Sequence, residues 1–267
     1  MQIFSKQAQR WAERTCEDDE CKAFREALAA TDVEVTSAHD SYLINLASPD
    51  GLLRGRSLES FIAELHRCEA LGIDFLVSHP GNFLDDRASG LARNAEAIVT
   101  ALEVVPGRTR LLLETTAACG TALGGTFEEL ATIIDAVPGS LRERVGVCVD
   151  TQHVWAAGYD LVGAFDDVWR RFDDTIGLAR LGMMHLNDSK TPFDSRRDRH
   201  ELIGFGYLGE RTFARVMTDE RLARVPKVIE TPKLDNDRIA DTCMLRILRG
   251  LANGAEPMDP SMFAERG

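Results

Sequence analysis

At 267 residues, 44% of them apolar, the chain has the size of one α/β barrel, which runs to roughly 250 residues, and enough apolar matter for a large core. Acidic residues outnumber basic ones 43 to 31, a formal charge of -12. That balance excludes a protein that grips nucleic acid by a broad basic surface, but not one whose cleft gathers divalent cations. The six cysteines form no CxxC pair and no disulfide-scaffold spacing, and no signal peptide or membrane-length apolar run is present. A cytoplasmic protein is expected.

The chain opens on a short strand at 2–5. TCEDDEC, which holds Cys16 and Cys21, reads as the solvated start of a helix over 17–30 rather than as a disulfide or a metal pair. Further strands are expected at 33–38, 74–79, 110–114, 145–150, 181–186 and 226–230, each a short apolar run bounded by turn residues. Amphipathic stretches at 57–71, 88–104, 126–137, 161–179, 209–217 and 236–251 separate them. In SLESFIAELHRCEALG the helical period places Leu58, Ile62, Leu65 and Leu71 near one face. Alternating strands and helices predict a TIM (β/α)8-type barrel with the helices outside. Seven strands are found where such a barrel wants eight, which would leave an open seam with two strand edges. Residues 1–251 read as a single domain, and 252–267 as a loose tail.

Six of these apolar runs stop at a residue that can ligate metal: His39, His79, Glu114, Asp150, His185 and Glu230. The active site of such a barrel lies at the C-terminal ends of its strands, so the six would converge on one mouth. His153 follows three residues after Asp150 in DTQH, and Asp198 and His200 fall in RRDRH. Nine imidazoles and carboxylates exceed the needs of one ion and match three. Without thiolate they suit zinc, with manganese or iron as substitutes. Close metal pairs are suited to phosphoester hydrolysis.

Plainer readings exist for each residue. A histidine ending an apolar strand is commonly a hydrogen-bonded core residue, yet five of the six histidines share such positions or lie beside them. His66 lies within a helix and reads as surface. Glu114 and Glu230 close apolar runs, where an unpaired carboxylate is costly to bury. DTQH can be a helix N-cap followed by turn chemistry, and RRDRH a solvated loop. Tyr42 and Leu43 would project above the mouth as apolar wedges, or pack on a neighbouring loop. Lys190, Arg196, Arg197 and Arg199 form a local basic patch suited to phosphate contacts, or a solvated loop.

HDSYLINLASP, LVSHPGN, LLLETTA, VGVCVDTQHVWAAGYDL, MMHLNDSKTPFDSRRDRH, GFGYLG and KVIETP, in that order over about residues 3–250, resemble the endonuclease IV family of apurinic/apyrimidinic (AP) endonucleases. The resemblance implies a TIM-barrel DNA-repair enzyme with three zinc ions. Its partner would be duplex DNA, cut 5′ to an abasic site or cleared of blocked 3′ ends, and it would act as a monomer at the nucleoid. Matched motif by motif, His39, His79 and Glu114 would hold a first zinc, and Glu114 would bridge to a second held by Asp150, His185 and Glu230. His153, Asp198 and His200 would hold the third. Glu114 and Glu230 would be the catalytic carboxylates, Glu230 orienting or deprotonating the attacking water. Tyr42, Leu43, Arg10, Lys190 and Arg197 would contact DNA. The alternatives are a sugar or sugar-phosphate isomerase of the related xylose-isomerase-like barrels, or a shortened inactive relative.

The sequence departs from the family pattern at several places. The family's first strand and helix, with a Gly-Ala-His-x-Ser motif, have no counterpart in it. Gln9 stands where a basic wedge residue is expected, with Arg10 its neighbour. Gln152 occupies a position that is often small or Cys, and Phe205 and Tyr207 depart from the usual Gly-x-Gly loop.

Overall fold

The computed structural model describes residues 1–233 and 237–257, which gather into two compact units: Met1–Glu114 with Thr121–Cys148, and Thr115–Gly120 with the described residues from Val149 onward. In the first, strands β1 (Gln2–Phe4), β2 (Ser37–His39), β3 (Phe75–Ser78), β4 (Arg110–Glu114) and β5 (Val145–Asp150) pair in parallel in chain order. Helices α1 (Asp18–Ala29), α2 (Gly51–Leu71), α3 (Arg87–Val104), α4 (Phe127–Ala136) and the single turn α5 (Gly139–Arg142) connect them, and α1–α2, α2–α3 and α3–α4 pack side by side. The RLLLE and VGVCVD runs are almost wholly buried. Such continuous apolar runs mark strands covered on both faces. Among the described residues β1 has one strand neighbour, β2.

The second unit takes up β5 at its last two residues and continues through α6 (Thr151–Ala156), α7 (Phe165–Thr175), β6 (Leu181–His185), β7 (Asp188–Ser189), β8 (His200–Glu201), α8 (Gly209–Thr218), β9 (Lys227–Val228) and α9 (Asp237–Ala252). β6 pairs β9 in parallel, and β7 pairs β8 as a two-residue antiparallel ladder. On α7 the buried residues Phe165, Val168, Trp169 and Phe172 follow the i, i+3, i+4, i+7 rule, so one stripe faces inward and the Asp and Arg residues between them face water.

The seven parallel strands of the sequence reading are all present. Their bounds shift where a side chain competes with the ladder. Thr36, expected in strand, gives both its N–H and its hydroxyl to Asp74 at 2.8 and 2.9 Å, so β2 starts only at Ser37. Glu230 donates its N–H to Asn187 Oδ1 at 2.9 Å, and the strand expected to reach it ends at Val228. Helix α2 begins at Gly51 rather than at 57, because Asp50 caps it by accepting from the N–H groups of Leu52 and Leu53. The stretch expected to be helical over 161–179 is α-helical only over Phe165–Thr175, with a 3-10 turn at Leu178–Arg180. The short α5 and α6 turns and the β7–β8 hairpin were not foreseen. The tail expected to be loose lies largely outside the described residues.

Two corrections concern thiols and charge. Cys16 and Cys21 are joined by a disulfide, with Cα atoms 6.2 Å apart, where a solvated helix start without pairing was expected. Cys21 turns inward and is buried, so the acidic residues between the two cysteines are solvated while its sulfur is not. On α2 Leu65 and Leu71 are buried as expected, but the buried face is rotated from the other two: Leu58 and Ile62 are half-buried, whereas Ser57, Ser60, Phe61, Glu64 and Arg67 are buried. The rotation serves a polar network that sequence periodicity does not show. Arg67 reaches Ser5, Glu13 and Glu64 at 2.9, 2.8 and 3.1 Å, Lys6 reaches Glu13 and Ser60 at 2.7 and 2.8 Å, and Ser5 hydrogen-bonds Glu64. His66 is exposed, as expected.

Candidate metal centre

In the first unit, β2 ends at His39, β3 ends one residue before His79, and β4 ends at Glu114. Parallel pairing of β2 with β3 and of β3 with β4 brings these ends side by side. Nε2 of His39 and Nε2 of His79 each lie 3.0 Å from Oε2 of Glu114, and the two rings meet edge-on at 5.2 Å. The Nδ1 of His39 lies 2.9 Å from the Asp40 carbonyl. A carbonyl only accepts, so Nδ1 carries a proton and the ring turns its Nε2 toward a carboxylate oxygen. Two imidazole nitrogens that converge on a carboxylate only 1% exposed form a donor set that fits a cation. Asp40, beside His39, is also buried. Burial pushes its carboxyl up to about 7, against the lowering pull of His39 and of the Ser78 hydroxyl, which donates at 2.5 Å.

The second unit repeats the arrangement twice. Asp150, His185 and Glu230 bring ligand atoms within 4.8 Å of one another, Nδ1 of His185 lying 3.2 Å from Oε2 of Glu230. Asp150, His153 and His200 do the same. Asp198 joins the latter group from an exposed loop, its oxygens 3.3 Å from Nε2 of His153 and 3.3 Å from Nε2 of His200. Here too the Nδ1 atoms are held by carbonyls: His153 by Thr115 at 2.7 Å and His200 by Glu230 at 3.2 Å. Both Nε2 atoms are thereby aimed at the Asp198 carboxylate, the orientation in which histidine ligates metal. The buried Nε2 of His200 makes no hydrogen bond among the described residues.

Asp150 serves two purposes. Its Oδ1 accepts from the N–H groups of Gln152 and His153 at 2.7 and 2.9 Å, which starts α6 and turns His153 into place. Its Oδ2 accepts from Asn187 Nδ2 at 2.6 Å. The N-cap and ligand readings of DTQH are therefore compatible. Asn187, which also accepts from Glu230 N–H, was missed in the sequence, as were Asp40 and Asp188. For Asn187 and Asp188 the one available signal was the NDSK string directly after a ligand-bearing strand end. Gln152 is buried and donates to the Arg197 carbonyl at 2.9 Å, bracing the loop rather than offering a ligand.

The side chains expected to contact DNA are mostly exposed. In the first unit Arg10 is exposed, Leu43 half-buried and Tyr42 58% exposed, its ring edge-on to Phe4 at 5.5 Å. Projection and packing thus coexist at Tyr42. The loop carrying it is tied to the loop after β1, because Ala8 O accepts from Tyr42 N–H at 3.1 Å and from Ser41 Oγ at 2.7 Å. In the second unit Lys190 and Arg197 are exposed, Lys190 at 3.9 Å from Glu201.

Residues 1–246 match the family described as xylose isomerase-like TIM barrels. A probable endonuclease 4 of Chloroflexus aurantiacus is 44% identical over 260 residues, which is 96% of this chain and 90% of the relative. That of Geotalea daltonii is 43% identical over 256 residues, 94% and 88% of the two chains. The crystal structure of endonuclease IV from Thermus thermophilus superposes with a TM-score of 0.83 at 33% identity, covering 94% of this chain and 88% of that one. A D-tagatose 3-epimerase-like protein, 18% identical with a TM-score of 0.68, shares the fold alone. By sequence, strand order and motif, the chain is a TIM barrel that belongs to the endonuclease IV family.

Proposed function

We propose that this protein is an AP endonuclease of DNA repair, hydrolysing the phosphodiester 5′ to an abasic site in duplex DNA and clearing blocked 3′ ends. The reading rests on family membership together with one observation: a third ligand group, His153, Asp198 and His200, beyond the two that a dinuclear site needs. Residues 1–251 act as one zinc-dependent nuclease domain. His39, His79 and Glu114 would hold one zinc, Asp150, His185 and Glu230 a second, and His153, Asp198 and His200 the third. Bound zinc supplies Lewis-acid polarisation of the phosphate and lowers the pKa of water. The protein's own groups then position the reaction. Glu230, 24% exposed beside a fully buried His185, is the carboxylate best placed to orient and deprotonate the attacking water. Tyr42 and Leu43 wedge the helix at the lesion, and Arg10, Lys190 and Arg197 contact phosphates. Specificity comes from the shape and deformability of damaged DNA rather than from base edges.

Metal analysis beside a nicking assay on an abasic-site duplex tests this. Three zinc ions per chain with incision are expected, and the His153→Ala/His200→Ala variant should lose one ion and be greatly slowed. Turnover of a sugar with one or two metals would favour the isomerase reading instead. Full activity in the double variant would remove the third site from the mechanism.

A further inference from the structure

The loop 203–209, IGFGYLG, presents two large aromatic side chains to water: Phe205 is 51% and Tyr207 is 56% exposed. Burial of apolar area is the main drive of folding, so two such rings held outward on one short loop call for a reason. They are held there by Asp188. Its buried carboxylate accepts from five backbone N–H groups, those of Ser189, Gly204, Gly206, Leu208 and Gly209, at 2.7 to 3.2 Å. Burial pushes the Asp188 carboxyl up, while these donors hold the charged form against that pressure. The glycines let the backbone wrap the carboxylate this closely. A Cβ on Gly206 would stand 2.4 Å from the Ser189 carbonyl oxygen and 2.5 Å from Asp188 Oδ1, and Gly204 takes a φ of +87°. With the backbone of the alternate residues fixed on Asp188, the loop is a rigid frame for Phe205 and Tyr207.

The position of the frame says what it faces. Tyr207 N–H donates to the Ser189 carbonyl at 2.9 Å, and Ser189 is the ladder partner of His200. Tyr207 therefore lies two backbone spacings, about 10 Å, from a residue of the third ligand group. Exposed Lys190 and Arg199 sit on the same hairpin, Lys190 N–H donating to the Arg199 carbonyl at 2.9 Å. Cations for phosphates next to exposed aromatic rings are the two parts of a surface that takes nucleic acid by stacking.

We infer that Phe205 and Tyr207 form a stacking ledge for a nucleobase of the DNA substrate beside the His153–Asp198–His200 group. The inference rests on the nuclease reading above and adds a base-contacting site to it. The ledge stabilises a base displaced or exposed at the lesion, through its π-face and without regard to sequence.

Steady-state incision of an abasic-site duplex by the wild type and by Phe205→Ala/Tyr207→Ala tests it, with 2-aminopurine scanned through the positions flanking and opposite the lesion. The double variant is expected to raise KM at least about fivefold while kcat changes much less, because stacking contributes to binding rather than to the chemical step. The wild type is expected to quench 2-aminopurine at one position and the variant is not. Phe205→Trp with Tyr207→Phe is expected to restore both, with metal content and melting temperature unaltered. A wild type that incises while the Ala variant keeps the same KM and the same quenching overturns the ledge alone, and is the result a protein-docking role for these rings would give. A wild type that neither binds nor incises the duplex overturns the nuclease reading and the ledge together.

Discussion

Asn187 shows how one uncharged side chain can set the geometry of two candidate ligands. Its amide nitrogen donates to Asp150 Oδ2 at 2.6 Å, its amide oxygen accepts from the N–H of Glu230 at 2.9 Å, and its own backbone is fixed by Thr151 at 2.7 and 2.9 Å. Partners that orient metal ligands typically change affinity by about 10–100-fold when removed. Asn187→Ala is expected to weaken zinc binding within that range with the fold retained, measured by competition against a chromophoric chelator. Affinity within twofold of the wild type would reduce Asn187 to a backbone brace. The same reasoning explains why the residue was hard to read beforehand. Ligands announce themselves at the ends of apolar runs, whereas an Asn two residues further on looks like any turn residue until its partners are seen.

At the scale of elements, the joint between α2 and the segment after β1 is ionic. Glu64 and Arg67 are buried on α2, and Arg67 ties Ser5 and Glu13 to the helix. Removing one member of a buried pair leaves an uncompensated charge, commonly at about 3–5 kcal/mol. Arg67→Ala should lose stability of that order in denaturant titration, and a loss under about 1 kcal/mol would mean water reaches Glu64. Glu13 carries the pH dependence of this joint. Burial raises its pKa, but hydrogen bonds from Lys6, Ser60 and Arg67 prevail and hold it below the usual carboxylate value. Its contribution is complete above the unfolded value of about 4.3 and is lost as pH falls through the folded value, since the unfolded chain takes up the proton first. Glu13→Gln should therefore flatten the stability curve just below that pH in the metal-free protein. Curves of equal slope for variant and wild type would exclude Glu13 as the titrating group. The network also holds the loop carrying Arg10 and, through Ala8, the loop carrying Tyr42, so its stability bears on the proposed DNA contacts.

For the whole molecule, a charge of -12 sets the character of DNA binding. The proposed phosphate contacts, Arg10, Lys190, Arg197 and Arg199, number four, so few counterions would be released. The logarithmic dependence of affinity on salt should have a slope of only about -2 to -4. A slope steeper than about -6, measured by fluorescence anisotropy with an abasic-site duplex, would show a wider phosphate contact than these residues provide.

The sequence by itself determined the alternation of strands and helices and the seven parallel strands, because buried strands are continuous apolar runs whatever surrounds them. It also singled out the ligand-type residues, because five of six histidines at or beside the ends of such runs are more than chance core residues account for. Only the tertiary structure decided what depends on partners distant in the chain: where β2 and β9 stop, which face of α2 is buried, that Cys16 and Cys21 pair, and that Asp150 caps a helix while facing His200. It likewise decided that Asp188 folds a glycine loop around its carboxylate and leaves Phe205 and Tyr207 outside. Hydrogen bonds and ion pairs across tens of residues carry no local periodicity, so they become visible only once the chain has brought their partners within about 3 Å.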